Sequence, residues 1–188
     1  YHTTDARTIA PINIYRCGNG RCGEESTFAT TAFRSVGIPT RQIYTPRWPH
    51  CDDNHAWIEV WCDGDWHYLG ACEPEEVLDK GWFTAAASRA MIIHSRMFSD
   101  YVENEEIVTH EGLTTVCNEL SRYADTQTFS VTVTENGQPL SGVTLRIELL
   151  NYSEFFPIST LVTDENGKAS ITLGLGDLHI HALKDGRF

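Results

Sequence analysis

Tyr15-Arg16-Cys17-Gly18-Asn19-Gly20-Arg21-Cys22-Gly23-Glu24-Glu25-Ser26 reads as a glycine-rich loop running into a helix. Beyond it, Phe28, Ala29, Ala32, Phe33 and Val36 recur at helical spacing. Gly37 is a natural stop, and Pro39 follows two residues later. The predicted helix therefore runs from Cys22 to Val36, with Cys22 at its N-terminus. Unpaired N–H groups and the helix dipole favour an anion there and lower a thiol's pKa. The thiolate is the form of cysteine that attacks carbonyls, and the same N–H groups suit an oxyanion. Glu24 and Glu25 in the first turn oppose the thiolate, so activation has to lean on an imidazolium.

Residues further along supply one. Ile38 to Tyr44 reads as a strand, and residues 54 to 62 and 66 to 73 read as a hairpin across Asp63-Gly64-Asp65. A three-residue loop pairs Cys62 with Trp66 and, counted outward, His55 with Glu73. A two-residue loop places Cys72 opposite His55 and leaves Glu73 diagonal. In either register a carboxylate stands within reach of an imidazole, as a nucleophile–base–acid triad requires. Asp53 is a rival acid, but it lies only two residues from His55 along the same strand.

Four segments carry a resemblance to a known family. Gly20-Arg21-Cys22-Gly23-Glu24 resembles the nucleophile motif of the transglutaminase-like superfamily, which includes the peptide N-glycanases. Gly37-Ile38-Pro39-Thr40-Arg41 resembles the segment after that family's nucleophile helix. His55-Ala56-Trp57-Ile58-Glu59-Val60 resembles its histidine strand, and Trp66 through Glu73-Pro74 the strand ending in the acid. The family usually carries Asp before that Pro; here Glu73, one methylene longer, takes the place. The resemblance covers about residues 15 to 75. It implies an α+β fold of the papain/transglutaminase type, with the nucleophile helix packed on an antiparallel sheet. It also implies a cysteine-dependent acyl-transfer enzyme with Cys22 as nucleophile, His55 as base and Glu73 as orienting acid. Its substrates would be peptides, proteins or glycopeptides, with no cofactor; the family resolves the acyl-enzyme with water or with an amine, and the appended β-rich module described next favours hydrolysis here.

Residues from about 127 onward read as purely β. Phe129, Val131 and Val133 alternate before Asn136-Gly137; Val143, Leu145, Ile147 and Leu149 repeat the period of two. Asn166-Gly167 turns again before Ile171 and Leu173, and Leu178 and Ile180 begin another strand. Such runs separated by Asn-Gly predict antiparallel hairpins and a β-sandwich. Gly137-Gln138-Pro139-Leu140-Ser141-Gly142-Val143 and Thr163-Asp164-Glu165-Asn166-Gly167-Lys168-Ala169 resemble the carboxypeptidase-regulatory-like and bacterial immunoglobulin-like modules. The expected division is residues 1–125 and 126–188. Arg89 to Phe98 fits helix or strand equally.

Composition sets outer bounds. The 188 residues carry a formal net charge of −12, which argues against a nucleic-acid surface and a polybasic membrane anchor. No run is apolar and long enough to span a bilayer as a helix, and no signal peptide is visible. The chain begins at Tyr1 rather than Met and stops at Phe188 soon after a strand, so further sequence is expected at both ends. The resemblances make an extracytoplasmic location the expectation. The cysteines at 17, 22, 51, 62, 72 and 117 do not have the spacing of a small disulfide scaffold and are read mostly as free thiols.

Two other functions compete. Cys17-x4-Cys22 and Cys51-x3-His55 form a possible zinc set, although zinc gives Glu73 no role. A catalytically inactive binding or architectural module is the other. Trp48, Trp57, Trp61, Trp66 and Trp82 read chiefly as core, with one or two available to line a site. Asp52-Asp53-Asn54 lacks an EF-hand pattern and reads as a solvated loop.

Overall fold

The periodic run after Cys22 forms the principal helix. A computed structural model describes residues 9–71, 73–99 and 104–186. Helix α1 spans Pro11–Cys17 and α2 spans Cys22–Ser35. Pro11 opens α1, where its missing N–H is no loss, and Gly18 closes it at a φ of 62°. At the end of α2, Gly37 takes a φ of 85°. Gly37 N then donates to Arg34 O at 3.0 Å and Ile38 N to Phe33 O at 3.1 Å, the paired bonds of a left-handed glycine stop.

Contacts divide the chain into two units. The first comprises Tyr1–Thr45 and His55–Ala85, the second Pro46–Asn54 and Ala86–Phe188. The secondary structure is mostly antiparallel sheet with few helices.

In the first unit, β1 (Thr40–Thr45), β2 (His55–Cys62) and β3 (Asp65–Leu69) lie in the order β3-β2-β1. The β2–β3 turn corrects the three-residue loop. Cys62 pairs with Asp65, and Asp63 and Gly64 take φ of 54° and 85°. Two positive φ values match the twist of the flanking strands, so Asp-Gly alone makes the turn. A second correction follows from it. The β2–β3 ladder ends at Ile58↔Leu69, and His55 pairs with Thr45 on β1. Glu73 is therefore not the ladder partner of His55. The strand stops because the chain folds back after Gly70, where a Cβ would stand 2.7 Å from Glu73 O. Cys72, the partner in the two-residue register, lies outside the described residues.

Strand β2 is buried on both faces. Ile58 and Val60 form a small core with Ala29 of α2, flanked by Phe33 and Leu69. His55, Trp57 and Glu59 take the other face, where Trp57 meets Phe83 at 4.8 Å between ring centroids. Glu59, 1% exposed, is compensated by Arg41 Nε at 2.7 Å. That guanidinium also lies over the Trp66 ring, 4.3 Å from its centroid.

In the second unit, β4 (His94–Met97), β5 (Glu106–Glu111) and β6 (Thr114–Asn118) take the order β4-β6-β5. Residues 89–98, ambiguous in sequence, thus contain a strand. The later elements are β7 (Thr126–Thr132), β8 (Thr134–Glu135), β9 (Gln138–Pro139), β10 (Thr144–Asn151), β11 (Glu154–Val162), β12 (Lys168–Gly174) and β13 (His179–Leu183). They form three small antiparallel sheets, β11-β10-β13, β12-β7 and β8-β9. Asn136-Gly137 turns the β8–β9 hairpin, as its sequence predicts. Asn166-Gly167 does not: β12 pairs with β7, so that turn joins strands of different sheets. The long hairpin is β10–β11, turned by Tyr152 and Ser153 at φ of 52° and 61°. Met91, Ile92, Ile147, Leu149, Ile158, Ile171 and Leu173 make the core of this unit. No described helix is long and apolar enough to cross a membrane, which says nothing of a β-barrel.

Candidate active site

Cys22 is the first residue of α2, a 14-residue helix, and is half-buried. Arg21 precedes it in extended conformation and donates its N–H to Glu24 Oε2 at 3.0 Å, closing one side of a capping box. The first turn is tied from below. Ser26 Oγ donates to Cys22 O at 2.6 Å, and Gln42 Nε2 on β1 donates to Ser26 Oγ at 2.7 Å and to Gly23 O at 3.1 Å. These bonds fix the turn carrying the thiol and leave the helix's N-terminal amide dipoles directed at its start.

The two acidic residues of this turn sit in different surroundings. Glu24, 5% exposed, has Arg21 Nε 3.6 Å from the carboxylate oxygen that the backbone also ligates. Glu25 has its pKa raised, first by burial and then by the charges of Glu73 and Glu24. Its raised pKa also marks Glu73 as an electrostatic neighbour of the helix start.

His55 begins β2 and is 4% exposed. Aromatic rings surround it: Trp82 at 4.7 Å, Phe83 at 4.8 Å and Trp57 at 5.6 Å between centroids. Trp82 Nε1 donates to Glu73 Oε1 at 3.4 Å. His55 and Glu73 thus share Trp82 as a neighbour, and Glu73 and Cys22 share the surroundings of Glu25. Glu73 itself is exposed and lies in a bend rather than on a strand. Asp53 is engaged locally: its Oδ1 accepts Asn54 N at 2.8 Å and its carbonyl accepts Trp48 N at 2.9 Å.

Residues 1–71 match the transglutaminase-like superfamily. The match supports that superfamily for a stretch containing Cys22 and His55; Glu73 lies two residues beyond its end. No curated protein and no solved structure matches the chain. Among the described residues no group of three or more histidine, cysteine, aspartate or glutamate side chains is placed to hold a metal ion. Cys17 Sγ instead faces the carbonyls of Ile14 and Asn19 at 3.7 Å and 3.3 Å. The five described cysteines, 17, 22, 51, 62 and 117, are free thiols.

Three features around the candidate site escaped the sequence reading. Gln42 was only a polar residue in a strand; its alternation onto the helix side was the available signal. Trp82 fell among tryptophans read as core, yet it is 64% exposed and joins His55 to Glu73. His67 and Asp79 form a second imidazole–carboxylate pair, Nδ1 to Oδ2 at 2.6 Å, which raises the His67 pKa. Asp79 stands at a φ of 60° that nothing in the strand pattern announced.

Proposed function

We propose that the chain is a cysteine-dependent acyl-transfer enzyme acting on peptide or amide bonds. The observation that carries the reading is Cys22 at the first position of a tied-down helix, inside the stretch that matches the transglutaminase-like superfamily. The Cys22 thiolate attacks the amide carbonyl carbon, and the carbonyl electron pair moves to oxygen. Backbone N–H groups at the start of α2 stabilise that oxyanion. As the oxyanion collapses, the C–N bond breaks and the His55 imidazolium gives its proton to the departing amine. Glu73 orients His55. Water then attacks the thioester, His55 takes its proton, and the carboxylic acid leaves with the thiolate restored. Hydrolysis is favoured over attack by an amine.

The finer fold reading belongs with this proposal. Residues 1–125 are read as a papain-like core and 126–188 as an immunoglobulin-like or carboxypeptidase-regulatory-like sandwich, in an extracytoplasmic protein. The period-two strands and short antiparallel sheets support the second assignment.

The test is a screen of blocked peptides and glutamine-containing peptides with and without an added primary amine. Mass spectrometry then looks for an acyl group on Cys22 at early times. Acylation of the parent, none in Cys22→Ala, and release of the free acid rather than the amine adduct support the proposal. Turnover that survives in Cys22→Ala refutes it.

A further inference from the structure

Strand β3 ends at Leu69, and the chain returns to its edge at Lys80, which forms an isolated parallel bridge with Leu69. The connection between them carries Glu73, and Trp82 follows just beyond it. Glu73 lies against the start of the connection, where its carbonyl oxygen would meet a Cβ on Gly70 at 2.7 Å. Trp82 lies past the end, with its ring 4.7 Å from that of His55. The contact across the two ends is weak: Trp82 Nε1 and Glu73 Oε1 are 3.4 Å apart and both residues are exposed. Glu73 is therefore held in place by whatever holds the two ends of the connection together.

Asp79 does so. Its N–H donates to Tyr68 O at 2.9 Å, its Oδ1 accepts the Tyr68 N–H at 3.0 Å, and its Oδ2 meets His67 Nδ1 at 2.6 Å. A carboxylate only accepts, so Nδ1 carries the proton, and a bond of this length to an ionised group is a strong one. The bond to Asp79 raises the His67 pKa; slight burial opposes the shift, and the charges of Asp79, Asp65 and Asp63 add to it. A neutral ring that keeps its Nδ1 proton still donates, so the clasp persists above that pKa. Asp79 takes a φ of 60° to make these bonds, a left-handed conformation that aspartate tolerates better than most residues. By comparison, Lys80 Nζ stands 3.9 Å from Glu75 Oε2 with both side chains exposed, a pair of little weight. Beyond the clasp, Thr84 Oγ1 accepts the Gly81 N–H at 3.0 Å and shares a hydrogen bond with Tyr68 OH at 2.9 Å, which ties the chain on either side of Trp82 to β3.

We propose that His67 and Asp79 are positioning residues of the candidate active site, whose clasp on the edge of β3 keeps Glu73 against Trp82. The inference rests on the acyl-transfer reading, in which Glu73 orients His55. Both residues act through the connection and not on the reacting atoms. With the clasp open, Glu73 spends only a fraction of its time beside Trp82, and His55 is oriented for only that fraction.

Asp79→Gly is the cleanest perturbation. Glycine takes a φ of 60° without strain and keeps the N–H bond to Tyr68 O, so the carboxylate alone is lost. His67→Ala removes the other half, and His67→Asn, whose Nδ2 reaches the place of Nδ1, restores a neutral donor to Asp79. Near-UV circular dichroism and urea unfolding establish that each variant of the full chain is folded. The nitrogen-15 indole N–H signal of Trp82, assigned with Trp82→Phe, reads its bond to Glu73. The rate of Cys22 alkylation by iodoacetamide at pH 7, mapped by mass spectrometry, reads the thiolate. The Trp82 signal is expected to move in Asp79→Gly and His67→Ala and to return in His67→Asn. Alkylation is expected to slow by about three- to tenfold in the first two, equivalent to about half to one pKa unit, and to recover in the third. A Trp82 signal that stays in place in folded Asp79→Gly and His67→Ala, or alkylation as slow in His67→Asn as in His67→Ala, would overturn the proposal; fast alkylation of the parent would then leave the acyl-transfer reading standing. Parent Cys22 that alkylates no faster than Cys17 or Cys51 would overturn the acyl-transfer reading and the positioning role with it, and the parent measurement alone identifies that case.

Discussion

His94 should make the protein acid-labile over a definite pH range. Its imidazole is buried, and burial first, then the charge of Arg96, lower its pKa from 6.5 to about 3. In the unfolded chain it titrates near 6.5, so between those values the unfolded state holds a proton that the folded state lacks. The stability His94 protects is therefore complete above pH 6.5 and is lost as pH falls towards 3. One proton gives a slope of about 1.4 kcal/mol per pH unit, with about 2 kcal/mol lost by pH 5 and a limit of about 5 kcal/mol. The interval from 6.5 to 5 is the informative one, because most carboxylates titrate below it. Urea unfolding of the parent at half-unit pH steps should show this slope, and His94→Gln should flatten it whatever its stability at pH 7. Nitrogen-15 shifts of the His94 ring give the direct reading and should stay at neutral-imidazole values to below pH 4. A ring titrating near 6.5, or equal slopes in parent and variant, would refute the reasoning.

Three further predictions concern the helix start and its acid. Glu25→Gln removes a carboxylate whose raised pKa means that its stabilising contribution is present below 4.5 and lost as pH rises through the folded value. The variant should unfold at higher denaturant at pH 7, and the labelling midpoint of Cys22 should fall by about 0.2–0.7 pH units, the size of a helix-terminus charge effect. Gln42→Ala removes the bonds to Ser26 Oγ and Gly23 O and should lower stability by about 1–2 kcal/mol in urea unfolding, with slower alkylation of Cys22. Gly70→Ala places a Cβ where Glu73 O lies 2.7 Å away. It should therefore displace Glu73 and lower kcat/KM by about ten- to a hundredfold in a folded protein; an unchanged kcat/KM would remove Glu73 from the site.

The helix from Cys22 was legible because period, glycine stop and following proline agree within one short stretch. The β1 and β2 strands were legible as β-rich runs bounded by turn signals, within a residue or two of their ends. The hairpin register was not, because Asp63-Gly64-Asp65 offers two loop lengths and only backbone φ distinguishes them. The β10–β11 hairpin was missed for a related reason. Tyr152-Ser153 is not a recognised turn pair, and Phe155-Phe156-Pro157 breaks the alternation where the bulge falls. Asn166-Gly167 misled in the opposite sense: its φ preference is local, whereas the partner of β12 is chosen by the core that Ile171 and Leu173 enter. In the candidate site, residue types were legible and their neighbours were not. Trp82 between His55 and Glu73, and Gln42 under the first turn of α2, are tertiary contacts that no spacing in the chain reveals.

The central claim is that Cys22 is an activated thiolate paired with His55. The most direct measurement is the pH dependence of iodoacetamide labelling at Cys22, mapped by mass spectrometry in the parent and in His55→Ala. The account predicts labelling of the parent well below pH 8, lost in His55→Ala while Cys17 and Cys51 label alike in both. Labelling of Cys22 only near the pKa of an ordinary thiol, about 8.5, and equally in both proteins, would contradict it.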